Sequence, residues 1–252
     1  MPDVPASLRA LVSNLIDYAG LYPPSALPLT AAAAKYNAYL EEPEGWILNR
    51  MVLPGGKPFD PHWRVSLVVE SEPGPLAAEV ETLETRQALK FSLPTYCEVP
   101  LDRVPAGAFA KVRTGGLTPD AIPPSERLSA FLLDAAARRL PFKATAGLHH
   151  PIRSLHPLTY AADAPQAVMH GFVNVFVAAA FAWHHAPREM VVEIINDVDP
   201  HAFAFDDDEL TWRGHRLGTS QIEEVRRDFA HSFGSCSFEE PIADLRSLGW
   251  IE

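Results

Sequence analysis

Two short strand-like segments, 32 positions apart, each present a lysine followed by a turn of small residues: Lys111-Val112-Arg113-Thr114-Gly115-Gly116 and Lys143-Ala144-Thr145-Ala146-Gly147-Leu148. A strand, a helix and the return to a parallel strand take roughly 30 residues, so this spacing reads as one crossover between neighbouring parallel strands. The rest of the chain repeats the theme. Short apolar, β-branched stretches recur at residues 15–19, 48–53, 65–70, 79–83, 96–99, 109–113, 142–146 and 191–196. Helical periodicity marks 30–41, 124–140, 167–185 and 220–229, with Thr30 and Ser220 as N-caps and Glu223 placed to complete a capping box. Eight strands alternating with helices predict an α/β fold, a closed parallel (β/α)8 barrel of the TIM type. The chain of 252 residues suits the length of about 250 that such a barrel needs.

Two places depart from the ideal pattern. Residues 84–95 leave room for only a very short helix, so the crossover after strand 4 is expected to be degenerate. Phe203-Ala204-Phe205 and Leu210-Thr211-Trp212 alternate about the acidic turn Asp206-Asp207-Asp208. That pattern predicts an antiparallel hairpin after strand 8, an insertion at about 201–217. No stretch reads as a linker, and the expected organisation is a single barrel domain over 1–252.

Composition narrows the function classes. Hydrophobic residues make up 47% and charged residues 21%, which provides for a sizeable core. The formal charge of −11, with no basic run, opposes binding to nucleic acid or to an anionic membrane. Cys97 and Cys236 are the only cysteines and stand far apart, so neither a disulfide framework nor a thiolate zinc site is expected. The start Met1-Pro2-Asp3-Val4-Pro5 lacks the features of a signal peptide, and the apolar run around 172–183 is too short to span a bilayer. The expectation is a cytoplasmic protein that takes a small molecule and carries no cofactor, with homo-oligomer formation left open.

Alternation along a strand places Lys111 and Arg113 on one face, and Lys143 and Thr145 on one face of the next strand. Helices cover the outside of a parallel barrel, so inward lysines belong at its polar mouth. A second cation nearby disfavours the charged form of a lysine, and an amine that is partly neutral attacks carbonyls to form a Schiff base. The same pair also suits anion binding, general acid–base work, or structural pairing with local carboxylates.

These segments resemble the deoxyribose-phosphate aldolase type of Schiff-base barrel. That family carries Lys-x-x-Thr-Gly on its sixth strand, matched by Lys111, Thr114 and Gly115. Its seventh strand carries a Lys-Ala-x-Gly-Gly-Ile-like segment, matched by Lys143, Ala144, Gly147 and, loosely, Leu148. The resemblance covers about 40 residues. It implies an imine on Lys111, perturbed by Lys143, and an acidic proton relay from an earlier strand. The departures are Arg113, where the family has a small residue, and Ala146, where it has a glycine of its phosphate cup. No local motif maps the relay. Gly218-Thr219-Ser220 is similar to the family's turn after its last strand, and an ordinary helix cap explains it equally well. The strings Gly147-Leu148-His149-His150-Pro151 and Phe233-Gly234-Ser235-Cys236-Ser237-Phe238 resemble a bacterial family to which no activity attaches.

Further candidates follow from position. Glu98, at the end of the strand beside Lys111, is placed to tune that lysine or to move protons. His149 and His150 follow the seventh strand, each a candidate acid, base or hydrogen-bond donor. With Glu98 and a further acid such as Glu193 or Asp197, one of them would instead make a metal site. His170 and Asn174 share a helical face at a helix start and suit a ligand anion. His184 and His185 suit a helix C-terminus. Asp17 sits at the end of the first strand, and Asp197 and Asp199 follow the eighth. Cys236 has no base nearby in sequence except His231, and reads as an inert thiol unless a base meets it in space.

The expected function is therefore that of a lyase acting on a small polar carbonyl compound. Lys111 forms an imine, Lys143 lowers its pKa and Glu98 moves protons. Asp17, Arg113, Thr145, His149, His150, His170 and Asn174 contact the substrate, and no metal is held. The rivals are a metal-dependent lyase or hydrolase centred on His149 or His150, and a non-catalytic ligand-binding barrel.

Overall fold

The computed structural model describes residues 4–71, 73–87, 91–105 and 107–252; Met1 to Asp3 lie outside it. Eight parallel strands close into a barrel in the order β1 (Ile16–Tyr18), β2 (Leu48–Pro54), β3 (Val65–Val68), β4 (Val80–Thr85), β5 (Thr95–Glu98), β6 (Phe109–Arg113), β7 (Phe142–Thr145) and β13 (Ala230–Ser235). β13 pairs with β1 to complete the ring, Ile16 opposite Phe233 and Tyr18 opposite Ser235. The TIM-type expectation holds at this level. Seven of the eight expected strands lie at the expected places.

The eighth does not. Residues 191–196 form part of a helix, α5 (Arg188–Asn196), although the stretch is rich in β-branched residues. Val191, Ile194 and Ile195 are buried, a spacing of three and four that suits one helical face. The true closing strand is β13, whose sequence Ala-His-Ser-Phe-Gly-Ser has too little apolar periodicity to announce itself. It can be small and polar because Ser232 faces a buried carboxylate, while Phe233 packs on Phe172 and Phe176. The hairpin is present as β10 (Phe203–Phe205) and β11 (Glu209–Trp212), joined by β12 (His215–Gly218) into a three-stranded antiparallel sheet. It therefore precedes the closing strand rather than following it.

The helices are unevenly shared. α2 (Leu29–Glu41) links β1 to β2, and α3 (Ser125–Ala137) links β6 to β7. From β2 to β6, no connection holds a helix among the described residues, so more than the crossover after β4 is degenerate. Phe59, Leu76, Phe91, Leu93 and Leu101 from these loops pack against the core where helices would otherwise lie. Between β7 and β13 come the hairpin β8 (Ser154–Pro157) and β9 (Gln166–Met169), then α4 (Phe172–Trp183), α5, the small sheet and α6 (Thr219–Asp228). The expected helix over 167–185 thus begins as a strand. Two further helices, α1 (Ala6–Val12) and α7 (Glu239–Ser247), precede β1 and follow β13.

Every residue of α4 is buried, as its nearly unbroken apolar sequence requires; α3, α5 and α6 enclose it against the barrel. The helix starts also differ from expectation. Pro28, not Thr30, caps α2. At α6 the Gly218 N–H donates to Gln221 Oε1 at 2.9 Å, so Gln221 takes the role expected of Glu223. Gly218-Thr219-Ser220 is a helix start, away from the end of the closing strand.

Candidate functional site at the barrel mouth

The interior of the barrel carries a chain of alternating charges. Lys143 of β7 is 1% exposed and donates to Asp17 Oδ2 of β1 and to Glu84 Oε1 of β4, each at 2.5 Å. Glu84 turns its other oxygen to Lys111 of β6 at 2.7 Å. Lys111 also lies 3.4 Å from Glu98 of β5, and Glu98 pairs with Arg113 at 2.8 Å. Three carboxylates thus meet three cations, as buried charge demands. Hydroxyls and an amide take up the remaining lone pairs. Asn49 Nδ2 donates to Asp17 Oδ1 at 2.7 Å, Ser232 Oγ to Asp17 Oδ2 at 2.7 Å, and Ser66 Oγ to Glu84 Oε1 at 2.7 Å.

Register explains why these groups meet. Lys111 stands opposite Lys143, and Glu98 opposite Lys111, on adjacent strands. The lysines do not face each other bare, because Glu84 comes between them with one oxygen for each. Burial alone would raise the Glu84 carboxyl, yet Lys111 and Lys143 together hold it far below the usual range. Burial would lower Lys143, and Asp17 and Glu84 overcome that and raise it. Burial likewise works to raise Glu98, but Lys111 and then Arg113 hold it down. Lys143 is thus a fully paired ammonium, and its expected contact with Lys111 is replaced by a shared carboxylate.

A cavity of about 1670 Å³ opens above this chain at the C-terminal ends of the strands, the face where barrels of this class hold their ligands. Lys111, Lys143, Glu84, Glu98, Arg113 and Thr145 all reach it, and so do His149 and His150. His149 Nδ1 lies 2.8 Å from Glu240 Oε2, and His150 Nδ1 lies 2.6 Å from Asp244 Oδ2, so both imidazoles are tied to α7. Tyr22, in the loop after β1, also lines the cavity; its hydroxyl is buried with no partner among the described residues. Burial and the Glu84 charge push its pKa up, so it stays a neutral phenol and a hydrogen-bond donor.

Three expected substrate contacts lie elsewhere. Asp17 is buried beneath the cavity as counter-ion to Lys143. His170, between β9 and α4, does not line the cavity; its Nε2 lies 2.8 Å from the Pro123 carbonyl and its Nδ1 3.0 Å from Arg153 Nη1. Burial and the nearby Arg153 take it down to about 4, against the pull of the Pro123 bond, so it remains neutral. Asn174 donates to the Ile194 and Asp197 carbonyls at 2.7 and 2.8 Å and accepts from the Arg153 N–H at 2.9 Å. It is a strut within buried α4. Asp197 holds Trp212 Nε1 and Arg213, fastening the small sheet to the end of α5, and Asp199 accepts from the His201 N–H. Among the described residues no three His, Cys, Asp or Glu side chains converge as a metal site would require.

The small-residue turns after both lysines have a backbone cause. A Cβ on Gly147 would lie 2.6 Å from the Gly115 Cα, and Gly147 has a φ of +80°. The two loops touch main chain to main chain, secured by a 2.6 Å bond from Thr114 Oγ1 to the Ala146 carbonyl. Glu84 and Tyr22 were missed in the sequence. The expected fourth strand stopped at residue 83, one short of Glu84, although the alternation of Thr82 and Glu84 would have carried it inward. No family model, curated protein or solved structure matches the chain.

Proposed function

We propose that the barrel is a lyase of the Schiff-base aldolase type, forming and breaking a carbon–carbon bond of a carbonyl compound through an imine on Lys111. The observation that carries this reading is the position of Lys111 at the cavity floor, between Glu84 and Glu98 and one carboxylate removed from buried Lys143. Lys111 gives a proton to Glu98, and the freed amine attacks the carbonyl carbon. Glu98 then gives that proton to the carbinolamine hydroxyl, which leaves as water, and the resulting protonated imine takes up the electron pair of the breaking carbon–carbon bond as an enamine. Glu84, from an earlier strand, holds the lysine in place and supports the acidic relay that the resemblance implies. The cavity of about 1670 Å³ exceeds the roughly 300–1,000 Å³ of most ligand pockets, so the carbonyl compound is free to carry a larger substituent.

The test is a borohydride trap with a panel of small aldehydes and ketones, read by intact mass. The parent should gain the mass of one reduced adduct, and Lys111→Met should gain none. If the variant traps as well as the parent, the imine mechanism fails and the lysines become anchors for a polar ligand.

A further inference from the structure

Cys236 needs a base from elsewhere in the fold, and the structure provides one. The residue follows the end of β13 and stands three positions before the start of α7, where it lines the cavity. His149, from the loop after β7, lines the same cavity, its Nδ1 held 2.8 Å from Glu240 Oε2 of α7, the carboxylate that Tyr160 ties to the thiol. Tyr160, from the connection between β8 and β9, lies 3.6 Å from Cys236 Sγ and donates to Glu240 at 3.1 Å. Ser25, after β1, donates to the Cys236 carbonyl at 3.1 Å. The surrounding titratable groups also include Tyr18 of β1, Glu239 of α7 paired with Lys35 of α2, and His150, which stacks on His156 and is tied to Asp244.

A thiol becomes a nucleophile when an imidazole oriented by a third group takes its proton. Burial works against the Cys236 thiolate, yet His149, Ser25 and Tyr160 together outweigh it and lower the thiol's pKa. Burial would lower His149, and Cys236 with Glu240 raises it to about 9. Both shifts favour the same ion pair, and the N-terminus of α7 adds a favourable dipole. The other cysteine, Cys97 of β5, is buried and pushed up by burial and by Glu98, so it serves as an internal control.

We propose that Cys236 and His149 form a second nucleophilic site in this cavity, one that adds to small electrophilic carbon centres such as aldehydes. Sγ bonds to the carbonyl carbon, the π pair moves to the oxygen, and the oxygen takes the proton held by His149. The product is a reversible thiohemiacetal, with no oxidant or cofactor involved. The site uses none of the Lys111 machinery and stands whether or not an imine forms there.

The experiment is iodoacetamide alkylation across a pH series, read by intact mass and peptide mapping. Cys236 should label at least ~10-fold faster than Cys97 at neutral pH, because the thiolate is the reacting form. Its rate should inflect below the value of about 8.5 of an ordinary thiol. His149→Gln should move that inflection upward, and Glu240→Gln should do so in part. Propanal should slow the labelling reversibly, in Lys111→Met protein as well as in the parent. Equal labelling of the two cysteines, an inert Cys236, a profile untouched by His149→Gln, or no protection by propanal would each overturn the proposal. The parent profile decides the matter even if a variant does not fold.

Discussion

Replacing Lys143 by methionine removes the one cation that Asp17 and Glu84 share, while keeping most of the apolar stem. Lys143 and both carboxylates are 1–2% exposed, so solvent cannot take over its role. Removing one partner of a buried ion pair costs about 3–5 kcal/mol, a large part of the ~5–15 kcal/mol that holds a domain folded. The pH dependence identifies the cause. In the parent, Glu84 is depressed below its ordinary 4.5, so its contribution is present above that pH and is lost only as the pH falls through the depressed value. In the variant, Glu84 has lost one of its two ammonium partners, so burial favours its protonated form. The native variant then binds more protons than the unfolded chain at mildly acid pH. Each pH unit over which it holds one extra proton returns about 1.4 kcal/mol. Urea unfolding of parent and variant at pH 7 and pH 5.5 should therefore show a penalty that shrinks with acid. A penalty under about 1 kcal/mol, or one of equal size at both pH values, would refute the buried charge chain as described.

Three other outcomes follow from the same structure. Gly147→Ala should lower stability by at least ~1–3 kcal/mol, read by thermal melting, since the site combines positive φ with backbone contact at Gly115; an unchanged melt would contradict that contact. Asn174→Ala should cost about 1–3 kcal/mol by stranding buried backbone groups, yet leave ligand binding in the cavity intact; lost binding with normal stability would return it to the site. His170 is held neutral down to about 4, below its ordinary 6.5, so its native state resists protonation. Its contribution should erode by about 1.4 kcal/mol per unit as the pH falls from 6.5 towards 4, and its imidazole NMR shifts should not move between pH 7 and 5. A midpoint near 6.5 would refute that burial.

What the sequence disclosed depended on how locally each feature is written. Lys111 and Lys143 were legible because register places them on neighbouring strands and each carries its own turn. Glu98 was legible for the same reason. Asp17 was seen as a mouth residue, although its part as a buried counter-ion depends on the barrel closing through β13, a strand of small and polar residues. The β-branched run at Val191, Ile194 and Ile195 read as a strand because a short apolar stretch fits both periods, and only its packing against α3 and α4 decides for the helix. His170 and Asn174 carried no local sign that Arg153, Pro123 and Ile194 would satisfy them. Glu84 lay one residue past an expected strand end, and its position between two lysines is a fact of tertiary structure. The pairing of His149 with Cys236 joins two loops 87 positions apart, which no local motif records.

The most direct measurement of the central claim is the site of the reduced adduct. After borohydride trapping with a carbonyl compound that adds mass to the parent, proteolysis and fragment sequencing by mass spectrometry should place the adduct on Lys111, with Lys143 unmodified. An adduct on Lys143 or on the surface lysine Lys35, or no adduct with any compound of the panel, would contradict it.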